Sequence, residues 1–583
     1  MKLNFKYWFF MIPLITACNI ESSPKSNEVT SQQGMVVTAN PHATDAGLNI
    51  IRAGGSAIDA AVAIEAVLSL VEPQSSGLGG GGFLVHYDAK TKEVITYDGR
   101  ETAPAGASKD MFYSSIGKRL GFLDAKHSGL SIGVPGVVSM LFLAHKDYGK
   151  LPWNRLFSSA KKLSIEGFPV SPRMHHSIDR FKAYFPNSPD KGPTEIYEYL
   201  FTDEGKPLPI GYILKNQKYA KTLDIIAEDP LAFYTGALAK EMSDVAHKLP
   251  RVGSLSPEDF ENYTARKLKP YCSSYRDMTL CGSPLPSSWI SVSMVMGLLN
   301  EAPKFSAGGA DDVLNWNLLA EALRITYADN NKFIADNNFV DVPVAGLMNK
   351  DYIKSRAKLI STQKANPYIE AGNPWNYQEK KSTGVGIDDT HDTSGTTHFV
   401  VVDNDGNVVS MTATVEGFFG SMRMAGGMIL NNQLTDFSFA YEDSEGIPIA
   451  NAVAPNKRPR SSMSPTIVLD KNGDFLMTVG SPGGRSIISY VAKVLVGVLD
   501  WDLSMQEAIN LPNIVARSEM VKIERSRASK ALVNSLEAYG YTVKKSDGEI
   551  SGLSGIVRLP DGSLSGGADP RREGTIGVVV PKN

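Results

Sequence analysis

Between residues 392 and 420 the chain changes from a polar loop to two stretches with a strand's periodicity. Phe399 to Val402 is an apolar, β-branched run. From Val408 the residues alternate: Val408, Ser410, Thr412 and Thr414 share one face, and Val409, Met411, Ala413 and Val415 share the other. A period of two is the signature of a β-strand. Asn404-Asp405-Gly406-Asn407 between the runs is hairpin-turn chemistry, because Asp-Gly accepts positive φ. With Asp405-Gly406 as a two-residue loop, Thr397 faces Thr414 and Thr396 faces Val415. Thr414 is then a diagonal neighbour of Thr396, within side-chain reach. Taken alone, two threonines at a strand start show only that threonine suits strands.

The same patterning places further elements. "NPHATDAGLNIIRAGGSAIDAAVAIEAVLSLVEP" reads as two helices, the first stopped at Gly54-Gly55 and the second opened by a Ser56/Asp59 capping box. The second is apolar nearly all round, which predicts deep burial. A Gly loop follows, then strands at Phe83–Tyr87 and Val94–Tyr97 leading to Arg100. Residues 105 to 360 read as mainly helical with loops. Ser361 to Gly395 is polar and rich in Pro, Gly, Asn and Asp, a structureless length that is uncommon inside a compact domain unless it has a function. Beyond the hairpin come an apolar helix from Ser486 to Leu499, a helix near 527 to 538 and a last strand, "TIGVVVP". Strands gather at both ends of the chain, which predicts layered α and β elements built from both ends.

Composition narrows the class. The 583 residues are 42% hydrophobic and 21% charged with a net charge of −3, an ordinary globular balance without the basic stripe of a nucleic-acid binder. "MKLNFKYWFFMIPLITAC" has lysines, an apolar stretch and small residues before Cys18, the form of a secretory signal too short to span a membrane. "ITAC" also resembles a bacterial lipobox, which would make Cys18 the lipidated N-terminus of an anchored periplasmic or outer-membrane protein; a plain signal peptide cut nearby is the alternative. Residues 19–34 are a polar, Ser-rich tether. Cys272 and Cys281 remain, structural and free to pair in an oxidising compartment, without the spacing of a metal site.

Several motifs together resemble the γ-glutamyltransferase (γ-glutamyltranspeptidase) family, over residues 35 to 580: "SGLGGGGF", "DGRETAPAGA", "TTHFVVVDNDGNVVSMTATVEGFFG", "LNNQLTDF", "NKRPRSSMSPTIV", "GSPGG" and "GADPRR". The resemblance implies an α+β fold, the four-layer αββα sandwich of N-terminal nucleophile hydrolases. It also implies self-cleavage between Gly395 and Thr396. Residues 35–395 and 396–583 would then be large and small subunits of one jointly built domain, associated as a heterodimer. No cofactor or metal is implied.

The chemistry agrees. A threonine hydroxyl needs a base within hydrogen-bonding reach. Scission before Thr396 frees an α-amino group on the same residue, with an ordinary pKa of about 7.7–8.0. Gly395 leaves room for Oγ of Thr396 to attack the preceding carbonyl. By the resemblance, Thr414 hydrogen-bonds the nucleophile, and the backbone N–H groups of Gly483 and Gly484, at a helix start, hold the oxyanion. Arg100, with Ser461 and Ser462, would clamp a substrate α-carboxylate. Glu416, Gln433 and Asp436 would hold its α-amino group. His398 is read as a structural strand histidine. The implied partners are glutathione or other γ-glutamyl compounds, with water, amino acids or peptides as acceptors.

The sequence also departs from the family pattern. Glu416 stands where many members carry Asn, and Val400 where a small hydroxyl residue is usual. Residues 437–460, between Asp436 and Ser461, are shorter than a full lid loop. "SPLPSSWISV" replaces the usual "PPPSSGG" run. These changes bear on the acceptor side. A glutaryl or cephalosporin acylase, or a poly-γ-glutamate depolymerase, would use the same nucleophile. A catalytically dead anchored binding protein would be expected to have lost Thr396, Thr414 or the glycine pair.

Overall fold

The computed structural model describes residues 28–380, 385–388, 390, 395–547 and 551–579. Cys18, its lipobox and most of the tether lie outside the described residues.

Two seven-stranded antiparallel sheets form the centre. The first runs in the order Thr575–Val578, Met35–Thr38, Gly395–Val402, Val408–Glu416, Gly81–Asp88, Glu93–Asp98, Arg266–Leu268. The second runs Thr30–Ser31, Leu564–Ala568, Ser554–Arg558, Phe475–Gly480, Thr466–Leu469, Met278–Gly282, Tyr271–Tyr275. Met35, Val37, Val400, Val402 and Val408 of one sheet meet Ile467, Phe475 and Ile556 of the other in a dry seam. Hydrophobic side chains from two inner faces fill such a seam and hold the sheets face to face.

The period-two pattern explains the outer layers. Phe399, Val401, Val409, Met411 and Ala413 point away from the seam, into the helices on the outer face of the first sheet. Foremost there is Ala57–Val71, in which every residue is buried, as its all-round apolar surface requires. Its Ser56/Asp59 capping box forms as expected. The second sheet is covered by Trp289–Glu301, Val313–Phe333 and Ile487–Leu499. Helices, sheet, sheet, helices: this is the αββα sandwich. Both sheets take strands from before and after Gly395.

Three local expectations are corrected. The hairpin turn has three residues rather than two: Val402 pairs with Val408, and Asp403 N donates to Asn407 O. Asp403 Oδ1 accepts from both Asp405 N and Asn407 N, and Gly406 takes φ +82°, so the aspartate organises a wider loop closed by a left-handed glycine. The register therefore moves by one, and Thr396 faces Thr414 directly instead of diagonally. In addition, the middle segment that reads as mainly helical contains a strand at 266–268, one edge of the first sheet, and a hairpin at 271–275 and 278–282 whose first strand is one edge of the second. "YCSSY" escapes notice because an edge strand exposes polar residues on its open face. Cys272 and Cys281, neighbours across that edge hairpin, form a disulfide.

Candidate active site

Thr396 sits at the start of a central strand, on the face that points between the sheets. Its Oγ lies 3.0 Å from Thr414 Oγ, and Thr414 Oγ donates to the carbonyl oxygen of Gly395 at 2.6 Å. Glu416 N donates to the same Thr414 oxygen at 2.8 Å. A hydroxyl has one proton, and Thr414 spends it on Gly395. Thr396 Oγ is therefore the donor to Thr414, and the chain of bonds runs from Thr396 Oγ to the carbonyl before it. A register irregularity falls between Gly395 and Thr396, at the peptide bond in question. A Cβ on residue 395 would lie 2.5 Å from the backbone carbon of Gly417, so only glycine fits there.

One cleft gathers most of the sequence-predicted residues. Arg100, Thr396, Thr414, Glu416, Gln433, Asp436, Ser461, Ser462 and Gly484 all line a space of about 450 Å³ including its mouth. Gly483 precedes Gly484 and does not itself line the cleft. Its φ of +136°, and the Tyr490 ring 2.6 Å from where a Cβ would stand, both require glycine. The pair turns the chain from the Phe475–Gly480 strand into a short 3₁₀ turn and then the Ile487–Leu499 helix. Strand-to-helix turns of this kind present backbone N–H groups at a helix start.

Arg100 is fully buried and held on three sides. Its Nε donates to Pro459 O at 3.1 Å, and its Nη2 donates to Arg460 O and Asp436 Oδ2, each at 2.6 Å. Nη1 has no hydrogen-bond acceptor. The cation and the aspartate thus touch each other, where the sequence reading set them on opposed sides. Gln433 Nε2 also donates to Asp436 Oδ2, while its carbonyl oxygen is buried without a hydrogen-bond partner. Nη1 faces the buried Glu101 carboxylate, 3.7 Å from Oε2, so the guanidinium is anchored on its inner side while both Arg100 and Gln433 line the cleft.

Glu416 occupies the left-handed region, with φ +78°. A non-glycine residue there costs roughly 1–3 kcal/mol and persists only when its surroundings impose it. Asn432 does so: its Nδ2 donates to Glu416 Oε2, and its Oδ1 accepts from Gly417 N at 2.9 Å. Lys126, buried behind the turn, donates to Phe418 O at 3.0 Å. Burial pulls its ammonium down to about 8, against the opposing pull of the Glu416 charge.

Ser461 Oγ accepts from Met463 N at 3.2 Å, and its backbone pairs with Pro286 and Ser288. The altered "SPLPSSW" run therefore buttresses the serine pair. His398 does not line the cleft. Its Nδ1 meets Thr412 Oγ at 2.9 Å, and burial pushes the imidazole down to about 3, so it is neutral.

The sequence reading missed several residues that shape the site: Lys126, Asn432, Asn451 and Arg572. Asn432 lay inside a recognised motif with no task assigned to it. Asn451 holds the aspartate turn through Asp436 O and binds Asp388, which also pairs with Arg460 at 2.9 Å. No periodicity marks such residues, since their partners are distant in sequence.

A helix-covered double sheet with a threonine at the start of a central strand is the architecture of the N-terminal nucleophile hydrolases. The family model described as gamma-glutamyltranspeptidase matches residues 43–579, and the chain belongs to that family of enzymes. It is 36% identical over 575 residues to the "Glutathione hydrolase proenzyme" of Bacillus subtilis (strain 168), covering 96% of this chain and 94% of that protein. Among solved structures it is similar to Helicobacter pylori gamma-glutamyltranspeptidase, with 30% identity and TM-score 0.54 over 59% of this chain and 97% of that one. A cephalosporin acylase from Bacillus halodurans shares the fold, at 24% identity and TM-score 0.79 over 96% of this chain and 99% of that chain.

Proposed function

We propose that the chain is a γ-glutamyltransferase and glutathione hydrolase that first cuts itself between Gly395 and Thr396. The observation that carries this reading is the hydrogen-bond chain from Thr396 Oγ through Thr414 Oγ to Gly395 O. Thr414 polarises the carbonyl that Thr396 Oγ attacks. The Gly395 C–N bond breaks, an ester to Thr396 Oγ forms, and the proton of the hydroxyl passes to the departing nitrogen. Water then releases the Gly395 carboxylate and leaves Thr396 with a free α-amine.

That amine is the base of the catalytic cycle. It takes the Oγ proton as Oγ attacks the γ-carbonyl of the substrate, and the N–H groups of Gly483 and Gly484 receive the developing oxyanion. The proton then goes to the leaving amine. Water or an acceptor amine attacks the γ-glutamyl ester and regenerates the enzyme. Arg100 with Ser461 and Ser462 takes the α-carboxylate, and Glu416, Gln433 and Asp436 take the α-ammonium.

The charge balance favours a γ-glutamyl over a glutaryl group. A glutaryl chain brings no ammonium to the Glu416 and Asp436 carboxylates that line the cleft, and so forgoes the charge-assisted hydrogen bonds that a γ-glutamyl group makes there. Turnover of γ-glutamyl and glutaryl anilides, with glycylglycine added to expose transfer, tests this; preference for the glutaryl compound overturns it. Thr396→Ala is expected to stay a single polypeptide on denaturing gels and to release no glutamate. The lipidated Cys18 anchor belongs to the same proposal. Cys18→Ser should move the protein from the membrane pellet to the soluble fraction, and an unchanged distribution removes the anchor.

A further inference from the structure

Arg572, the second arginine of "GADPRR", has no task in the mechanism above, yet its guanidinium reaches the nucleophile. Nη1 donates to the carbonyl oxygen of Thr396 at 2.7 Å, and Nε donates to Ser551 O at 3.0 Å, so the side chain is fixed at both edges. Its stem passes over Gly552, where a Cβ would stand 2.6 Å from both Cδ and Nε; the glycine leaves the channel open.

We propose that Arg572 is a positioning residue for the nucleophile: it fixes the orientation of Thr396 through its carbonyl and holds a positive charge beside the α-nitrogen that acts as base. The carbonyl oxygen and the α-nitrogen of one residue are separated only by the carbonyl carbon and Cα, so the guanidinium stands close to the amine once it is free. A nearby like charge disfavours the ammonium form and leaves the nitrogen unprotonated, able to accept the Oγ proton. The step this assists moves one proton from Oγ to that nitrogen and needs no other reactant. The inference rests on Thr396 being the processed N-terminal nucleophile.

The charges around the pair support the assignment. Glu72, Arg173, Asp569 and Tyr490 face Arg572, and Arg173 is itself tied to Glu72 and to Ser75 Oγ. Burial first, and the Arg173 charge second, pull Arg572 down to about 9, which leaves it cationic through the neutral range. On the cleft side, Glu416 and Asp436 face Thr396 with Arg100, Arg460 and Arg485. Lys126, behind Glu416, titrates near 8. It is common to every variant below, so differences between variants report on Arg572.

The test is the pH dependence of kcat/KM for a γ-glutamyl anilide, from pH 5 to 10, on processed enzyme. Arg572→Gln should move the acidic limb upward by about one pH unit, an approximately tenfold loss below the limb that fades toward the alkaline plateau. Arg572→Lys keeps the charge and should keep the limb in place. Gly552→Ala, which displaces the stem while retaining the guanidinium, should move the limb in the same direction by less, and serves if Arg572→Gln does not fold. An unmoved limb in Arg572→Gln or in Gly552→Ala, or a limb in Arg572→Lys displaced as far as in Arg572→Gln, overturns the role. These outcomes are distinct from failure of the functional reading, in which the unaltered chain itself neither cuts nor turns over γ-glutamyl substrates.

Discussion

At the scale of single residues, the site depends on who donates to whom. Thr414 accepts from Glu416 N and donates to Gly395 O, so its hydroxyl orients Thr396 Oγ and polarises the Gly395 carbonyl together. Thr414→Ala removes one donor from that carbonyl, and self-cleavage is expected to slow by roughly 10²–10³-fold, the usual cost of one oxyanion-type donor. Thr414→Ser keeps the hydroxyl and should cleave at nearly the original rate. Time courses of fragment appearance on gels measure both; equal rates for the two variants would remove Thr414 from the processing chemistry. Much of this constellation was legible beforehand. Arg100, Gln433, Asp436, Ser461 and Ser462 are residue types suited to a zwitterion, and their motifs are specific. Arg572 and Asn432 were not legible, because a hydrogen bond to another segment's backbone or amide leaves no pattern in the chain that supplies it.

At the scale of elements, the helix Ala57–Val71 shows how far burial overrides polarity. Glu65, in its middle, is fully buried, and burial pushes its pKa up to about 8 against the opposing pull of the Ser76 hydroxyl. An acid whose folded pKa lies above its ordinary 4.5 costs nothing below pH 4.5, where both folded and unfolded chains are protonated. From 4.5 to 8 only the unfolded chain ionises, so stability falls as pH rises through that window. Glu65→Gln removes the penalty. It is expected to raise stability at pH 8 by as much as ~5 kcal/mol, the linkage equivalent of that shift, and to change little at pH 4.5. Thermal unfolding at both pH values checks this; an equal change at both would assign the effect to packing. The hairpin shows the opposite limit. Its strands were readable from alternation, but its register turned on Asp403 capping a three-residue loop, a side-chain detail that dipeptide rules do not resolve.

At the scale of the whole molecule, the proposed cut before Thr396 would not divide the fold. In the first sheet the Gly395–Val402 strand lies between Met35–Thr38 and Val408–Glu416, and Val408–Glu416 pairs on its other side with Gly81–Asp88. With that cut, strands 35–38 and 81–88 would belong to the large fragment, and the strands between them to the small one. Separating the fragments would break ladder hydrogen bonds and open the seam between the sheets. The processed enzyme is therefore expected to elute as one species under native conditions and to give two bands only after denaturation. Elution of two species without denaturant would contradict the interleaved ladder.

The sequence by itself determined the helices and central strands, through periodicity and caps, and the types of group available for catalysis, through local motifs. Those are short-range properties, written in neighbouring residues. Tertiary structure alone decided that Thr396 and Thr414 meet face to face, that Arg100 touches Asp436, that two cysteines bridge an edge hairpin and that Arg572 reaches the carbonyl of Thr396. Each of these depends on how separate segments of the chain are brought together, and packing and hydrogen bonding in three dimensions set that arrangement.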